Sequence, residues 1–306
     1  ASRGSLYKPN QLKSEGWSLQ GGIGLAIIQK MSSAGTPLGN IKSYSIMAGI
    51  KTGFNKAFWL DSETAQRLKR EDPCSYKKFI KPVLVGDDAR RWSAKPVTAY
   101  MIYTPRGTLE KELGALKQHL LKWKTRLEGR ALDQKWYELQ QAQYRYSSTY
   151  ESPKIVYPDI ALESRFSIDS QGRYPDMTAF SIPCADLWLL ALLNSKAEWF
   201  FLSRTAAVLG DADNRGRVRC KTQYISKIPV PEIGASDKTR LAKLAEKAAR
   251  QAESEDTVDL RTTEREIDEI VYRLFDLTAD EIAYIEKSLA GVDRYAANGD
   301  EEEEEA

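Results

Sequence analysis

The chain has 306 residues, 42% of them hydrophobic and 29% charged, the balance of a folded domain and not of a disordered chain. No apolar run approaches the roughly 20 residues that cross a bilayer, no basic-apolar leader opens the chain, and Cys74, Cys184 and Cys220 are too few and too scattered for a disulfide frame or a zinc knuckle, which fits a reducing cytoplasm. The net charge of +2 hides an asymmetry: residues 1–230 hold 35 Lys and Arg against 21 Asp and Glu, and residues 231–306 hold 10 against 22.

A basic section followed by an acidic one suggests a polyanion-facing surface on the first part; the alternative is an ordinary solvated surface. The chain opens on ASRGSLYKPN without an initiator Met, so a segment of a longer polypeptide is expected.

In chain order, residues 16–35 read as a loop and a short helix with Ile23, Ile27 and Ile28 facing inward. Residues 42–60 mix β-branched and aromatic residues with Gly49 and Gly53 and predict two strands around a tight turn. Ser62 is read as the N-cap of a short helix through Lys69. Residues 79–92 are extended and broken at Gly86, and 97–103 alternate as a strand. Leu109, Leu113, Leu116, Leu120, Trp123 and Leu127 recur at helical spacing and predict one helix over 108–127. Strands follow at 154–157 and 165–168, with a turn at 169–172.

Residues 187–202 are apolar nearly all round and predict a buried helix; 218–228 read as a last strand, closed by Pro229 and Pro231. Beyond it, 237–250 and 263–275 carry one apolar face each, and Thr278 to Glu281 is a capping-box signature opening a third helix over 280–289. These helices are expected to pack on one another as an arm. Residues 298–306, NGDEEEEEA, can bury nothing and are expected to be disordered.

Catalytic chemistry is thin. The single histidine, His119, falls inside the Leu/Trp helix and reads as a partly exposed helical residue. Gly21, Gly22 and Gly24 follow no strand, and no phosphate-binding Gly-Lys-Ser/Thr loop occurs. Asp159, Glu163 and Arg165 echo a metal-dependent nuclease site, but the interval is too short and Arg stands where Lys is needed.

Five phrases run in a fixed order: GIKTGFNKAF (49–58), KPVLVGDDARRW (81–92), SPKIVYPDI (152–160), LLALLNSKAEWFF (189–201) and ISKIPVP (225–231). Their order resembles the TaqI-like C-terminal specificity domain, the target-recognition part of bacterial N6-adenine DNA methyltransferases and type IIG restriction-modification enzymes. The resemblance covers roughly residues 20 to 290. It implies an α+β fold, a mixed β-sheet target-recognition domain over 1–231, with a C-terminal helical arm over 232–292 and an acidic tail over 293–306. It implies double-stranded DNA as partner and a methyltransferase domain of the same polypeptide upstream. That domain would hold S-adenosylmethionine and the Asn/Asp-Pro-Pro-Tyr/Phe motif, which this sequence lacks. No cofactor or metal is expected in the chain itself. The other reading is a protein-interaction module acting through the helices; RNA binding stands third, for want of an RNA-reading motif.

Base reading needs paired donors or acceptors, and phosphate contacts need cations, hydroxyls or free amides. Lys51, Thr52, Asn55 and Lys56 offer both around Gly53, in a segment that the resemblance places near DNA; a plain hairpin is the alternative. Arg90 and Arg91 are adjacent, so in a strand only one would face DNA. Arg145 and Tyr146 sit in a polar loop where cation and ring can stack on bases or brace a phosphate. Arg215, Arg217, Arg219 and Lys221 share one strand face by period two; a charged strand edge is the alternative.

Overall fold

Runs of β-branched and aromatic residues in this chain are short and bounded by Gly, Pro and Asp, so they build short strands and small sheets. The computed structural model describes residues 22–210, 216–254 and 257–290. Among them the architecture is α+β, with four sheets. One orders Trp59–Asp61, Ala99–Ile102, Ile80–Leu84 and Tyr174–Pro175, the last pair parallel. A second, all antiparallel, orders Met47–Ala48, Ala179–Ile182, Lys154–Pro158 and Ser167–Asp169. Val208–Leu209, Arg217–Arg219 and Ile160–Ala161 form a third, and Gly35–Pro37 pairs with Pro229–Pro231 in a fourth.

Two large hydrophobic cores and a small third result. The first gathers Phe58, Leu60, Leu68, Phe79, Met101, Leu116 and their neighbours. The second joins strand residues such as Ile155, Tyr157 and Ile182 to a helical layer: Leu189, Leu190, Leu192 and Leu193 are all buried, and Leu241, Leu244, Ala245 and Ala248 close over them. A buried leucine is worth about 1.5–3 kcal/mol, so this layer carries much of the stability. The segment 80–92 passes through all three cores. Ile80 and Val83 lie in the first, Leu84 and Ala89 in the small one, and Trp92 in the second.

Several expected elements differ. Residues 42–60 are not a hairpin: Met47–Ala48 pairs with Ala179–Ile182, Trp59–Asp61 pairs with Ala99–Ile102, and Asn55–Phe58 is a helical turn. The helix expected over 108–127 is broken. Gly114 takes φ +49°, and the Asp72 carboxylate accepts from the Ala115 amide at 3.1 Å, so a new helix, Ala115–Leu121, starts there. Asp72 also accepts from the Ser75 amide at 3.0 Å, capping two helices at once. Leu113, Leu116, Leu120 and Leu127 are buried as expected, but Leu109 is exposed, as is Ile23. Ser195 splits the expected 187–202 helix and N-caps Lys196–Thr205 through its hydroxyl. The N-cap near residue 62 is Asp61, which accepts from Thr64 at 2.6 Å. Residues 218–228 hold a strand, Arg217–Arg219, and a helical turn, Thr222–Ile225. The 298–306 tail lies outside the described residues.

The last three helices are Ala235–Glu253, Thr257–Leu274 and Ala279–Leu289, and the first two pack on each other as expected. Their apolar faces share the second core with Leu187–Asn194 and Lys196–Thr205. The expected capping box is present: Glu281 accepts from the Thr278 amide at 2.8 Å, and it also takes Lys30 at 2.9 Å. A buried clasp joins the middle helix to the segment 80–92. Glu264 accepts from Arg91 and, at 2.7 Å, from the Trp92 indole, while Arg91 also donates to the Ser164 hydroxyl. A second buried ionic group, Asp169, takes Lys154 at 2.6 Å and Arg173 at 2.7 Å.

Glu264→Ala should leave Arg91 buried and unpaired, at a cost of about 3–5 kcal/mol. Urea unfolding of the variant would read this as a lower midpoint. A second expectation concerns Glu198, whose two carboxylate oxygens are buried without a hydrogen bond among the described residues. Burial pushes its pKa well above the usual range. A raised folded pKa means that stability is full at acid pH and is lost as pH rises, because the unfolded state ionises first. Glu198→Gln should therefore stabilise the protein at pH 8 and change little at pH 4, as melting temperatures at the two pH values would record.

Candidate nucleic-acid interface

The turn at 51–56 and the loop at 140–146 are far apart in sequence and adjacent in space. Lys51 and Gln141 form a two-way backbone pair, with N–H to O distances of 3.0 and 2.9 Å. Gly53, at φ +78°, allows the turn, and Asn55 then opens the helical turn Asn55–Phe58. On the other side Gln143 takes a left-handed conformation at φ +50° and starts the single 3₁₀ turn Tyr144–Tyr146. Lys51, Asn55, Lys56 and Arg145 are all exposed. None of the three cations makes an ion pair with a described residue. The two segments expected to meet a polyanion thus form one surface.

The flank of this surface is not legible in the sequence. Phe54 packs edge-on to Trp123 at 5.4 Å, and the exposed Arg126 lies 5.7 Å from the Phe54 ring. Lys124 lies 5.7 Å from the Trp136 ring. Spacing alone assigns these cations to the polar faces of one long helix. The break in that helix brings Trp123–Arg130 round to the 51–56 turn. Tyr144, 69% exposed, presents its ring beside Arg145, whereas Tyr146 is half-buried against the first core. An exposed ring next to a cation suits stacking on a base.

Other expected positions are spent inside the fold. Arg91 is buried in the Glu264 clasp, so it cannot reach a partner molecule. Burial works against its charge, but Glu264 and Glu163 outweigh that and hold its pKa above the usual value. Thr52 is 3% exposed; its hydroxyl donates to Asn55 Oδ1 at 2.6 Å, so it shapes the turn and is not presented. Arg90 is half-buried and pairs with Asp87 at 2.9 Å, in a group that also holds Lys95 and Arg165.

The basic strand keeps part of its expected face. Val218 and Cys220 point inward, and Arg217 and Lys221 are exposed. Arg219 shares that face but pairs with Asp159 at 2.9 Å. Arg215 lies outside the described residues. Asp159 and Glu163, the echo of a nuclease site, are tied to Arg219 and Arg165 respectively.

Residues 81–230, just under half of the chain, match the TaqI-like C-terminal specificity domain. Over those residues the chain is similar to a specificity domain of that family. The match spans most of the Ile80–Leu84 strand, parts of both large cores and the Arg217–Arg219 strand. Among solved structures, the type IIL restriction-modification enzyme MmeI, determined in complex with DNA, superposes at a TM-score of 0.60 with 12% identity over 80% of this chain. The type IIG restriction endonuclease BpuSI overlaps 83% of the chain at 12% identity and a TM-score of 0.47. The chain spans about a third of the length of each, 35% and 33%. At these identities the MmeI likeness fixes the fold and no more. Among the described residues no helix is long and apolar enough to cross a membrane.

The two classes of cation should separate in solution. Removing one phosphate-binding cation reduces the log–log salt slope of duplex binding by about one unit. Lys56→Ala or Arg217→Ala should each lower the slope by that amount and leave the melting temperature unchanged. Arg91→Ala should do the opposite, lowering the melting temperature with no change of slope.

Proposed function

We propose that this chain reads the sequence of double-stranded DNA and positions a target adenine for an N6-adenine methyltransferase domain of the same polypeptide. The observation that carries this reading is the pairing of Lys51 with Gln141, which joins two cationic loops into one surface on a specificity-domain fold. Lys51 and Lys56 act as anchors: flexible point charges that fix register on phosphates without reading sequence. Asn55 and Arg145 act as readers, since their planar groups can pair bidentately with adenine and guanine. Arg217 and Lys221 add phosphate contacts.

S-adenosylmethionine belongs to the methyltransferase domain and not to this chain. The tetrapeptide that would stack a flipped adenine and bond its amino group does not occur here, and no methyl-transfer step is assigned to these residues. The protein-interaction alternative needs the C-terminal helices to offer their apolar faces. Leu241, Leu244, Ala248, Ile267, Ile270 and Val271 are instead buried in the protein's own core, which favours the DNA reading.

Two measurements test this. The purified chain incubated with labelled S-adenosylmethionine and plasmid DNA should transfer no methyl groups; transfer that tracks the protein would overturn the assignment. Selection on duplexes with a randomised centre should yield a sequence motif. On that motif Arg145→Ala should cost about 1–3 kcal/mol, and little on a scrambled duplex. Equal losses on both duplexes would make Arg145 an anchor.

A further inference from the structure

Arg130 lies beneath the two loops of the candidate interface and gives its donors to backbone carbonyls. Nη1 donates to Thr52 O at 2.6 Å; Nη2 donates to Trp136 O at 2.9 Å and Glu138 O at 2.8 Å; Nε donates to Leu127 O at 3.0 Å. Its guanidinium lies 5.3 Å from the Phe58 ring. Its stem fills the space under the turn: a Cβ added at Gly53 would come within 2.9 Å of Arg130 Cδ and 3.0 Å of Gln140 Cβ. Three pieces of chain therefore converge on one side chain: the 51–56 turn, the end of the Lys124–Glu128 helix, and the 136–138 segment that leads into the reading loop.

A phosphate-binding arginine keeps its fork open to solvent. Arg130 is half-buried and turns its fork inward, onto carbonyls. A guanidinium is planar and rigid, so it fixes these carbonyls relative to one another, which a lysine ammonium on a flexible stem cannot do. Turn and loop are also joined by the Lys51–Gln141 backbone pair and by a longer bond of 3.4 Å from the Gln140 amide to Thr52 O.

We infer that Arg130 is a positioning residue for sequence reading: it holds the 51–56 turn and the 140–146 loop in one register, so that anchors and readers meet DNA as a unit. This rests on the proposed reading of duplex DNA. A group that holds readers in place, without itself touching DNA, should change discrimination and leave the electrostatic part of binding alone.

The test uses Arg130→Lys in the full chain, with selection on centre-randomised duplexes and then anisotropy titrations on the selected and a scrambled duplex. The ratio of the two affinities should fall about ten- to a hundredfold, with the salt slope and the scrambled-duplex affinity unchanged. A ratio within about twofold of the parent would overturn the inference. So would a slope that is kept by Arg130→Lys and lowered by Arg130→Gln, which would make Arg130 a phosphate anchor.

A covalent rescue separates positioning from general stability. Paired residues of a hydrogen-bonded antiparallel bridge have Cα atoms about 5.5 Å apart, within disulfide range. Lys51→Cys with Gln141→Cys, added to Arg130→Lys, should restore the ratio when oxidised and lose it when reduced. No difference between the two states, or a failure to fold in both, would make Arg130 a structural residue only and overturn the inference. The triple variant Lys51→Ala, Lys56→Ala, Arg145→Ala tells the two readings apart. If it leaves affinity and slope unchanged, the DNA reading fails. If it weakens binding while Arg130→Lys changes nothing, the positioning inference alone fails.

Discussion

One buried carboxylate, Glu264, fixes how the rest of the chain is arranged. It accepts from Arg91 and from the Trp92 indole, at the end of the segment that passes through all three cores. Trp92 sits at φ +69°, a conformation that a bulky residue adopts only when its surroundings enforce it. The enforcing contacts are the Glu264 carboxylate on the side chain and Phe166 O, which accepts from the Trp92 amide at 3.0 Å. Because Glu264 belongs to Thr257–Leu274, the C-terminal helices are clamped to the sheets that carry the cationic loops. An unpaired charge left in such a site is costly, so the clasp works as a whole or not at all.

This clasp shows why counting cations along the sequence overstates the interface. Residues 1–230 carry a surplus of Lys and Arg, and part of that surplus is internal. Arg91, Lys154 and Arg173 are buried ion-pair partners, and Arg130 holds carbonyls. Arg90 and Arg219 are drawn to Asp87 and Asp159. The charge left around the two loops, on Lys51, Lys56, Arg145 and the helical Arg126, is smaller and more local than the composition implies. A local patch suits reading, where register matters more than total attraction.

The legible parts of the fold are those set by local chemistry. The Thr278–Glu281 capping box, the buried Leu189–Leu193 stretch, the strand at 154–158 and the period-two face around Val218 all follow from neighbouring residues, whereas the α+β class comes through the family resemblance. The illegible parts depend on partners far away in sequence. Nothing near Gly114 announces that the Asp72 carboxylate will start a new helix there. Nothing near Lys51 announces Gln141, and the hairpin expected at 42–60 gives way because each half finds a partner more than thirty residues distant. Arg91 illustrates the same limit: its neighbour Arg90 is half-buried, and only the distant Glu264 decides which of the two is lost to the core. The amphipathic C-terminal helices are legible as helices; that they close over Leu187–Asn194 is not, because an apolar stripe does not name what covers it.

In the proposed reading the 51–56 turn and the 140–146 loop meet duplex DNA together. Photocrosslinking tests it most directly: the chain is irradiated with duplexes carrying 5-bromodeoxyuridine across a randomised centre, and the crosslinked peptides are mapped. Crosslinks are expected in both segments, with Tyr144 and Arg145 prominent in the second. Crosslinks confined to the helices Ala235–Glu253 and Ala279–Leu289, or to one of the two loops with the other untouched, would contradict that reading.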